Sequence, residues 1–369
     1  MDEAEAMIQT EAAIPEKTVI VPRVYRHRSR WRLLAVGVAT FVLIFALIAE
    51  MGWWDLTATA TNYTGAHFNQ AKNGTWLAHT WVGDFHTNAE YEVLANRLKH
   101  EQITSVYVHV GPLEETGTIA TSRFPFASAF IIAMHERDPN LMLYAWIGQI
   151  DRVGAVPGDG QIDFSLPQTR AQIVQTAILF TNQLHFDGIH YDIEPILNND
   201  NHFIDLLDET RQSMGTGKLL SIATPNWVPI ARVADALRTV TSHGDAWWTT
   251  YYYLTVSRHV DQIVVMLYNT NMPTAPLYES IVQQETAHIL RAVERGSAST
   301  EVIFGIPTYS GDSRAFHASA ENMRTGLVGV ISGLNYGDYH TAFSGIAIYP
   351  EWLTTDADWS IYDQLWLGL

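Results

Sequence analysis

The residues best suited to chemistry lie in the run from Asp187 to Pro195, which reads Asp-Gly-Ile-His-Tyr-Asp-Ile-Glu-Pro. Its alternation predicts a β-strand with His190, Asp192 and Glu194 on one face. Two carboxylates two residues apart on such a face lie within about 7 Å of each other, so each raises the proton affinity of the other. One of them can then stay protonated near neutral pH as a general acid. A solvated strand end whose acids cap the next helix is the simpler alternative, but three polar side chains on an otherwise apolar strand favour a site.

The strand that carries these residues is one of eight β-rich runs with helical stretches between them. The runs are Trp76–Val82, Ser105–Val110, Leu141–Ile147, Gly188–Ile193, Leu219–Thr224, Gln262–Tyr268, Glu301–Ile306 and Ser344–Tyr349. The amphipathic stretches are Ala89–His100, Thr169–Leu184, His202–Met214, Val228–Val240 and Pro276–Arg295. This alternation predicts an α/β fold, a (β/α)8 TIM barrel, in which catalytic groups lie at the C-terminal ends of the strands. A doubly wound open sheet is the alternative fold.

The N-terminal part of the chain has a different character. Residues 33–51 are almost entirely apolar and follow five arginines between Arg23 and Arg32, which predicts a transmembrane signal anchor. Residues 1–32 would then be a cytoplasmic tail, residues 52–74 a linker, and residues 75–369 a barrel outside the membrane. A cleaved signal peptide is the alternative, but the charged region before the apolar segment is long for one.

Composition excludes several classes of protein. The net charge of −17 disfavours nucleic-acid binding, and the lack of cysteine excludes disulfides, thiol catalysis and cysteine-ligated metals. No glycine-rich nucleotide motif follows any predicted strand. The lack of cysteine in so large a domain also favours a bacterial cell membrane over a eukaryotic secreted protein.

A metal site is the competing interpretation of the acidic strand, with His185, His190 and Asp192 as ligands. Metal-dependent barrel hydrolases usually carry His-x-His on the first strand, where this chain has only His79. We therefore expect no catalytic metal and no cofactor.

Four predicted strands resemble those of family 18 glycoside hydrolases, the chitinases and endo-β-N-acetylglucosaminidases. The acidic strand is similar to their DGxDxDxE strand. Three further segments look like their fifth strand, their MxYD strand and their GxPxYG strand, in the same order: Leu220–Pro225, Val265–Asn269 and Phe304–Ser310. The resemblance extends from about Trp76 to the C-terminus.

The resemblance implies a retaining, substrate-assisted mechanism, for which this family is a known exception to the two-carboxylate scheme. Glu194 would protonate the leaving oxygen and later activate water. The acetamido oxygen of the substrate would attack the anomeric carbon, Asp192 would orient the acetamido N–H, and Tyr268 would hydrogen-bond the acetamido oxygen. The partner would be a polysaccharide or oligosaccharide.

Several residues depart from the family pattern. His190 replaces an Asp and could hydrogen-bond Asp192, while Asn269 replaces the Asp of MxYD. Trp146 fills the space of a Ser, and Tyr349 and Trp352 stand in for a Trp that floors the sugar site. These residues, with Trp227 after the fifth strand, are the expected sugar-binding groups, since aromatic rings pack on the apolar faces of sugars.

Three hypotheses remain open from the sequence. The first is an extracytoplasmic glycosidase acting on N-acetylhexosamine polymers. The second is a lectin-like barrel without turnover, against which the retention of both carboxylates argues. The third is a retaining glycosidase with a separate carboxylate nucleophile, for which Glu351, Asp84 or Glu114 could serve if it lay about 5 Å from Glu194.

Overall fold

A computed structural model describes residues 64–152, 162–229, 247–313 and 316–369. The predicted cytoplasmic tail, the anchor at residues 33–51 and most of the linker lie outside these ranges and stay predictions. Among the residues described, no helix is both long enough and apolar enough to span a bilayer.

The centre of the structure is a closed parallel barrel. Its strands, numbered here β1 to β8, are Asn73–Leu77, Ile103–Pro112, Met142–Ile150, Gly188–Glu194, Leu219–Thr224, Gln262–Met266, Glu301–Pro307 and Phe343–Tyr349. Each strand pairs with its sequence neighbours, and β1 closes the ring by pairing with both β2 and β8. The (β/α)8 prediction is confirmed, and the open-sheet alternative is wrong.

Helices follow each strand and cover the outside of the barrel. They are numbered here α1 to α8: Asn88–His100, Ala127–Arg137, Pro167–Ile178, Asn201–Met214, Thr250–Val256, Ala275–Gly296, Met323–Tyr336 and Asp356–Tyr362. Two-residue strands at Trp227–Val228 and Trp248–Thr249 form a separate small pair. The predicted helix Val228–Val240 lies almost wholly outside the described residues.

The first strand is shorter than predicted. It ends at Leu77, and Thr80–Gly83 forms a helical turn in which the N–H groups of Val82 and Gly83 bond to the carbonyl of His79. Val82 is fully buried, but its carbonyl accepts a hydrogen bond from Phe126 N at the start of α2. Val82 thus packs under the helices and not in the sheet, which is why its apolar character was misleading.

Asp187 and Gly188, which open the acidic strand, fix how β4 lies against its neighbours. Asp187 Oδ2 accepts hydrogen bonds from Leu143 N at 2.8 Å and, through a ring nitrogen, His135 at 3.0 Å. A Cβ at position 188 would lie 2.4 Å from the carbonyl oxygen of Leu219, so only glycine allows β4 and β5 to approach this closely. The Asp-Gly pair is therefore structural, and it sets the register of the residues that follow.

Large side chains fill the interior of the barrel. Trp76, Tyr107 and Tyr144 form a buried cluster inside the strands, while a second, larger core lies between the strands and the helices. Close-packed aromatic rings leave little freedom to the backbone around them. These rings therefore hold the C-terminal ends of the strands in fixed positions, as a preorganised site requires.

Candidate active site

The three polar residues of β4 lie at increasing exposure toward the C-terminal end of the barrel. His190 is fully buried, the side chain of Asp192 is mostly covered, and Glu194 is exposed. The predicted alternation is confirmed, because Ile189, Tyr191 and Ile193 are buried in the outer core.

His190 belongs to a hydrogen-bond chain inside the barrel. Trp76 Nε1 donates to His190 Nε2 at 3.3 Å, so the proton of the ring must be on Nδ1, which lies 2.9 Å from Ser221 Oγ. Ser221 and Tyr107 in turn donate to Oε1 of Gln262, both at 2.8 Å. Every polar group in this chain has a partner when the imidazole is neutral.

Burial also lowers the pKa of His190 to about 3. The hydrogen bond to Asp192 that the sequence suggested is therefore wrong, since both ring nitrogens are used below the site. His190 lies beneath the cleft and supports it. The metal interpretation loses His190 as a ligand for the same reason, and His185 lies before the start of β4, away from the strand end that carries Asp192.

Asp192 is held by Trp146 on the neighbouring strand. Trp146 Nε1 donates to Asp192 Oδ2 at 2.8 Å. The other oxygen, Oδ1, is buried and has no hydrogen-bond partner among the residues described. Burial raises the pKa of Asp192 to about 6, and the hydrogen bond from Trp146 opposes that rise. An unpartnered buried carboxylate oxygen is costly in an isolated protein, so it marks a place where a ligand donor belongs.

Tyr268, two residues after β6, and Tyr349, the last residue of β8, lie beside each other. Their rings stack with centroids 4.8 Å apart and planes at 8°. Burial, and then the nearby charges of Asp192 and Glu194, raise the pKa of both tyrosines, that of Tyr349 to about 12. Both hydroxyls therefore stay protonated at neutral pH and can donate a hydrogen bond. The structure thus brings the predicted residues of three strands together at the C-terminal end of the barrel.

A second network shapes the loop after β6. The Tyr309 hydroxyl lies 3.3 Å from both the backbone N and Oδ1 of Asn269, which has a left-handed φ of 58°. The fully buried Glu321 accepts a hydrogen bond from Thr270 Oγ1 at 2.7 Å and one from Tyr309 at 3.5 Å. This network holds the backbone that carries Tyr268.

Sequence reasoning overlooked Tyr309 and Glu321 as parts of the site. Tyr309 lies in the segment Phe304–Ser310, just after β7, at a strand end where functional residues are expected, so the sequence could have predicted its role. Glu321 lies in a loop without any local pattern, and its place beside Asn269 follows only from the fold.

The aromatic residues expected to bind sugar have different surroundings. Trp352 is 44% exposed at the rim, with its ring 6.3 Å from that of Tyr349. Trp227 is 7% exposed, and its ring stacks on His288 at 4.3 Å. The structure therefore brings Trp352 to the cleft and places Trp227 in the packing between elements.

The other carboxylates considered as nucleophiles have their own contacts. Glu351 lines a groove with Trp81 and Arg97, and burial raises its pKa while Arg97 opposes the rise. Glu114 is exposed and accepts a hydrogen bond from Thr118. Asp84 is exposed at the end of the turn after β1. The two acids whose charges raise the pKa of the paired tyrosines are Asp192 and Glu194.

Known structures share this architecture at low sequence identity. The Bacillus cereus spore cortex-lytic enzyme SleL has a TM-score of 0.51 and 10% identity, covering 80% of this chain and 74% of its own. A chitinase from Bacteroides thetaiotaomicron has a TM-score of 0.51 and 14% identity, covering 80% and 94%. A class V chitinase from Nicotiana tobaccum, solved in complex with NAG4, has a TM-score of 0.50 and 13% identity, covering 80% and 99%. At such identities the likeness shows the fold.

Family membership comes from the sequence. No curated protein sequence matches the chain significantly. A sequence model of glycosyl hydrolases family 18, however, matches residues 81–361, which is more than half of the chain and includes the acidic strand. The chain therefore belongs to glycosyl hydrolase family 18 and is a glycosidase.

Proposed function

We propose that this glycosidase cleaves glycans containing N-acetylglucosamine, with retention of configuration and with the acetamido group of the substrate as nucleophile. The observation that carries the proposal is the buried, unpartnered Oδ1 of Asp192, a residue whose charge is near enough to help raise the pKa of the Tyr268 hydroxyl. An acetamido group offers one N–H donor and one oxygen acceptor, which match these two groups. The solved neighbours include chitinases and a cortex-lytic enzyme, one of them in complex with NAG4.

Each residue then has a defined role. Glu194, exposed at the end of β4, protonates the leaving oxygen and afterwards takes a proton from water. Asp192 Oδ1 accepts the acetamido N–H, and its negative charge balances the positive oxazolinium ion. The hydroxyl of Tyr268 donates to the acetamido oxygen and aims it at the anomeric carbon. Trp352 at the rim offers a ring to an adjoining sugar.

The membrane part of the proposal rests on the sequence. We place the catalytic barrel outside the membrane because the predicted anchor at residues 33–51 follows an arginine-rich segment. Polymeric glycans outside the cell would then be the accessible substrates.

The proposal is tested by comparing substrates that differ only at the second carbon. The full chain should cleave oligomers of β-1,4-linked N-acetylglucosamine and leave the fully deacetylated and the glucose oligomers essentially intact, since neither carries the acetamido nucleophile. Proton NMR of the first product should show the β-anomer. Equal cleavage of the glucose oligomers would contradict the mechanism, and binding without cleavage would contradict the function.

Trp146 could act by positioning Asp192 or as a platform for a sugar ring, and replacing it by phenylalanine separates these two roles. Loss of the indole N–H should lower kcat by roughly 10-fold, because a hydrogen bond to a charged group is worth about 1.5–3 kcal/mol. KM should change little. The pKa of Asp192 should rise further, which moves the acidic limb of the pH profile of kcat/KM upward.

Trp359→Phe is the matched control, since Trp359 is a buried tryptophan on α8 outside the cleft. It should leave kcat and the pH profile unchanged. If Trp146→Phe instead raised KM alone, with an unshifted pH profile, Trp146 would be a sugar platform and not the group that positions Asp192.

A further inference from the structure

Two carboxyl groups face each other at the opposite end of the barrel from Glu194. Glu101 ends α1, two residues before β2 begins, and Asp363 directly follows α8. Together with His100 they can each offer one ligand atom, and these three atoms lie within 4.8 Å of one another. In the part of the chain that the structure describes, no other group of histidine and acidic side chains meets this condition.

Two of the carboxylate oxygens in this cluster have no hydrogen-bond partner among the residues that the structure describes. Glu101 is 4% exposed, and one of its oxygens lies 3.1 Å from His100 Nδ1. Its other oxygen, Oε2, is buried without a hydrogen-bond partner, as is Oδ1 of Asp363. No lysine or arginine among the described residues forms an ion pair with either carboxylate. Burial and the charge of Asp363 accordingly raise the pKa of Glu101 to about 7.

We propose that Glu101, Asp363 and His100 bind one divalent transition-metal ion, with water completing its coordination. Carboxylate oxygens and a neutral imidazole nitrogen are ordinary ligands of Zn²⁺ and Mn²⁺. The imidazole nitrogen disfavours Ca²⁺, which takes oxygen ligands. A bound cation would satisfy both unpartnered oxygens and neutralise the paired negative charges.

The surroundings indicate what the ion would do. The Tyr362 hydroxyl donates to the carbonyl of Glu101 at 2.9 Å, and the carbonyl of Asp363 accepts the N–H groups of Gly368 and Leu369 at 2.7 and 3.0 Å. The Tyr362 hydroxyl thus already ties the end of α8 to the end of α1. An ion here would fasten the C-terminal turn across the N-terminal end of the barrel, so its effect is on stability and not on turnover.

The test uses the full chain without a histidine tag, stripped of metal with a chelator. Added Zn²⁺ should raise the Tm by about 3 °C or more at saturation, and Mn²⁺ should act likewise. Titration calorimetry should give one site. Asp363→Asn should abolish the rise, and His100→Ala, a change at an exposed side chain, should weaken binding by roughly 10-fold or more.

The matched control is Asp208→Asn, which removes the carboxylate of a surface pair with His259 at 2.6 Å. This variant should keep the full Zn²⁺ response. An unchanged Tm in the wild type, or an equal rise in Asp363→Asn, would overturn the proposal. In that case the two carboxyl groups lie together without a bound cation, and Asp363→Asn should raise the Tm without any metal. Because the readout is binding and unfolding, the result is independent of whether the glycan substrate has been identified correctly.

Discussion

Replacing Glu194 with glutamine is expected to lower kcat on N-acetylglucosamine oligomers by about 10²- to 10⁴-fold, with KM changed little. Glutamine keeps the shape of the side chain but cannot deliver or accept the proton, and a positioned general acid and base contributes a factor of this size. Glu194 is exposed at the end of β4, so the substitution should leave the Tm close to that of the wild type. Steady-state kinetics and thermal unfolding measure both effects.

A second variant distinguishes this mechanism from one with a separate carboxylate nucleophile. Glu351→Gln should retain most activity, because Glu351 lies in a groove beside Arg97 and not at the tyrosine pair. Undiminished cleavage by Glu194→Gln would remove Glu194 as the acid. Inactivation by Glu351→Gln, with an unchanged Tm, would favour the two-carboxylate mechanism instead.

Replacing Asp192 with asparagine should lower kcat by roughly 10²- to 10³-fold, the usual effect of losing one group that stabilises charge in the transition state. The amide cannot balance the positive oxazolinium ion. In the wild type the same requirement sets the acidic limb of activity. Because the pKa of Asp192 is raised to about 6, kcat/KM should fall below about pH 6 as this carboxyl group becomes protonated.

The same substitution should make the fold more stable at neutral pH. The folded pKa of Asp192, about 6, lies above its unfolded value of about 3.9, so the fold favours the neutral carboxyl group. The wild type therefore loses stability as pH rises between these two values, and the loss is constant above about pH 6. Asparagine has no charge to bury, so the variant should gain about 1–3 kcal/mol at pH 7 and nothing near pH 3.5.

Urea unfolding of both proteins across this pH range measures the difference, with Asp205→Asn, an exposed acid on α4, as the control. A gain in stability that did not depend on pH would mean that desolvation of the charge is not its cause. Unchanged activity of Asp192→Asn would remove Asp192 from the mechanism.

Much of the fold was readable from local pattern. All eight strands were predicted, because strands covered on both faces form apolar runs such as Gln262–Met266 that few other structures produce. The error in β1 came from Val82, whose apolar side chain is buried by a helical turn rather than by the sheet. An apolar residue thus predicts burial, but it does not show whether a strand or a helix buries it.

The site was readable only in part. Strand periodicity placed Asp192 and Glu194 on one face, and the resemblance added Tyr268 and Tyr349. The hydrogen bond of Trp146 to Asp192 links β3 to β4, and the contact of Glu321 with the loop at Asn269 links two distant loops. Such pairings depend on register and side-chain direction, which no single strand specifies.

The sequence by itself determined which polar residues of β4 share a face, because the period of a β-strand fixes that set. Only the tertiary structure decided the hydrogen bonding and the protonation of these residues. In the folded chain both ring nitrogens of His190 form hydrogen bonds inside the barrel. Trp146 donates to Oδ2 of Asp192, and Oδ1 of Asp192 has no partner among the described residues. Desolvation and long-range hydrogen bonds set these properties, and both arise only when distant segments close around a residue.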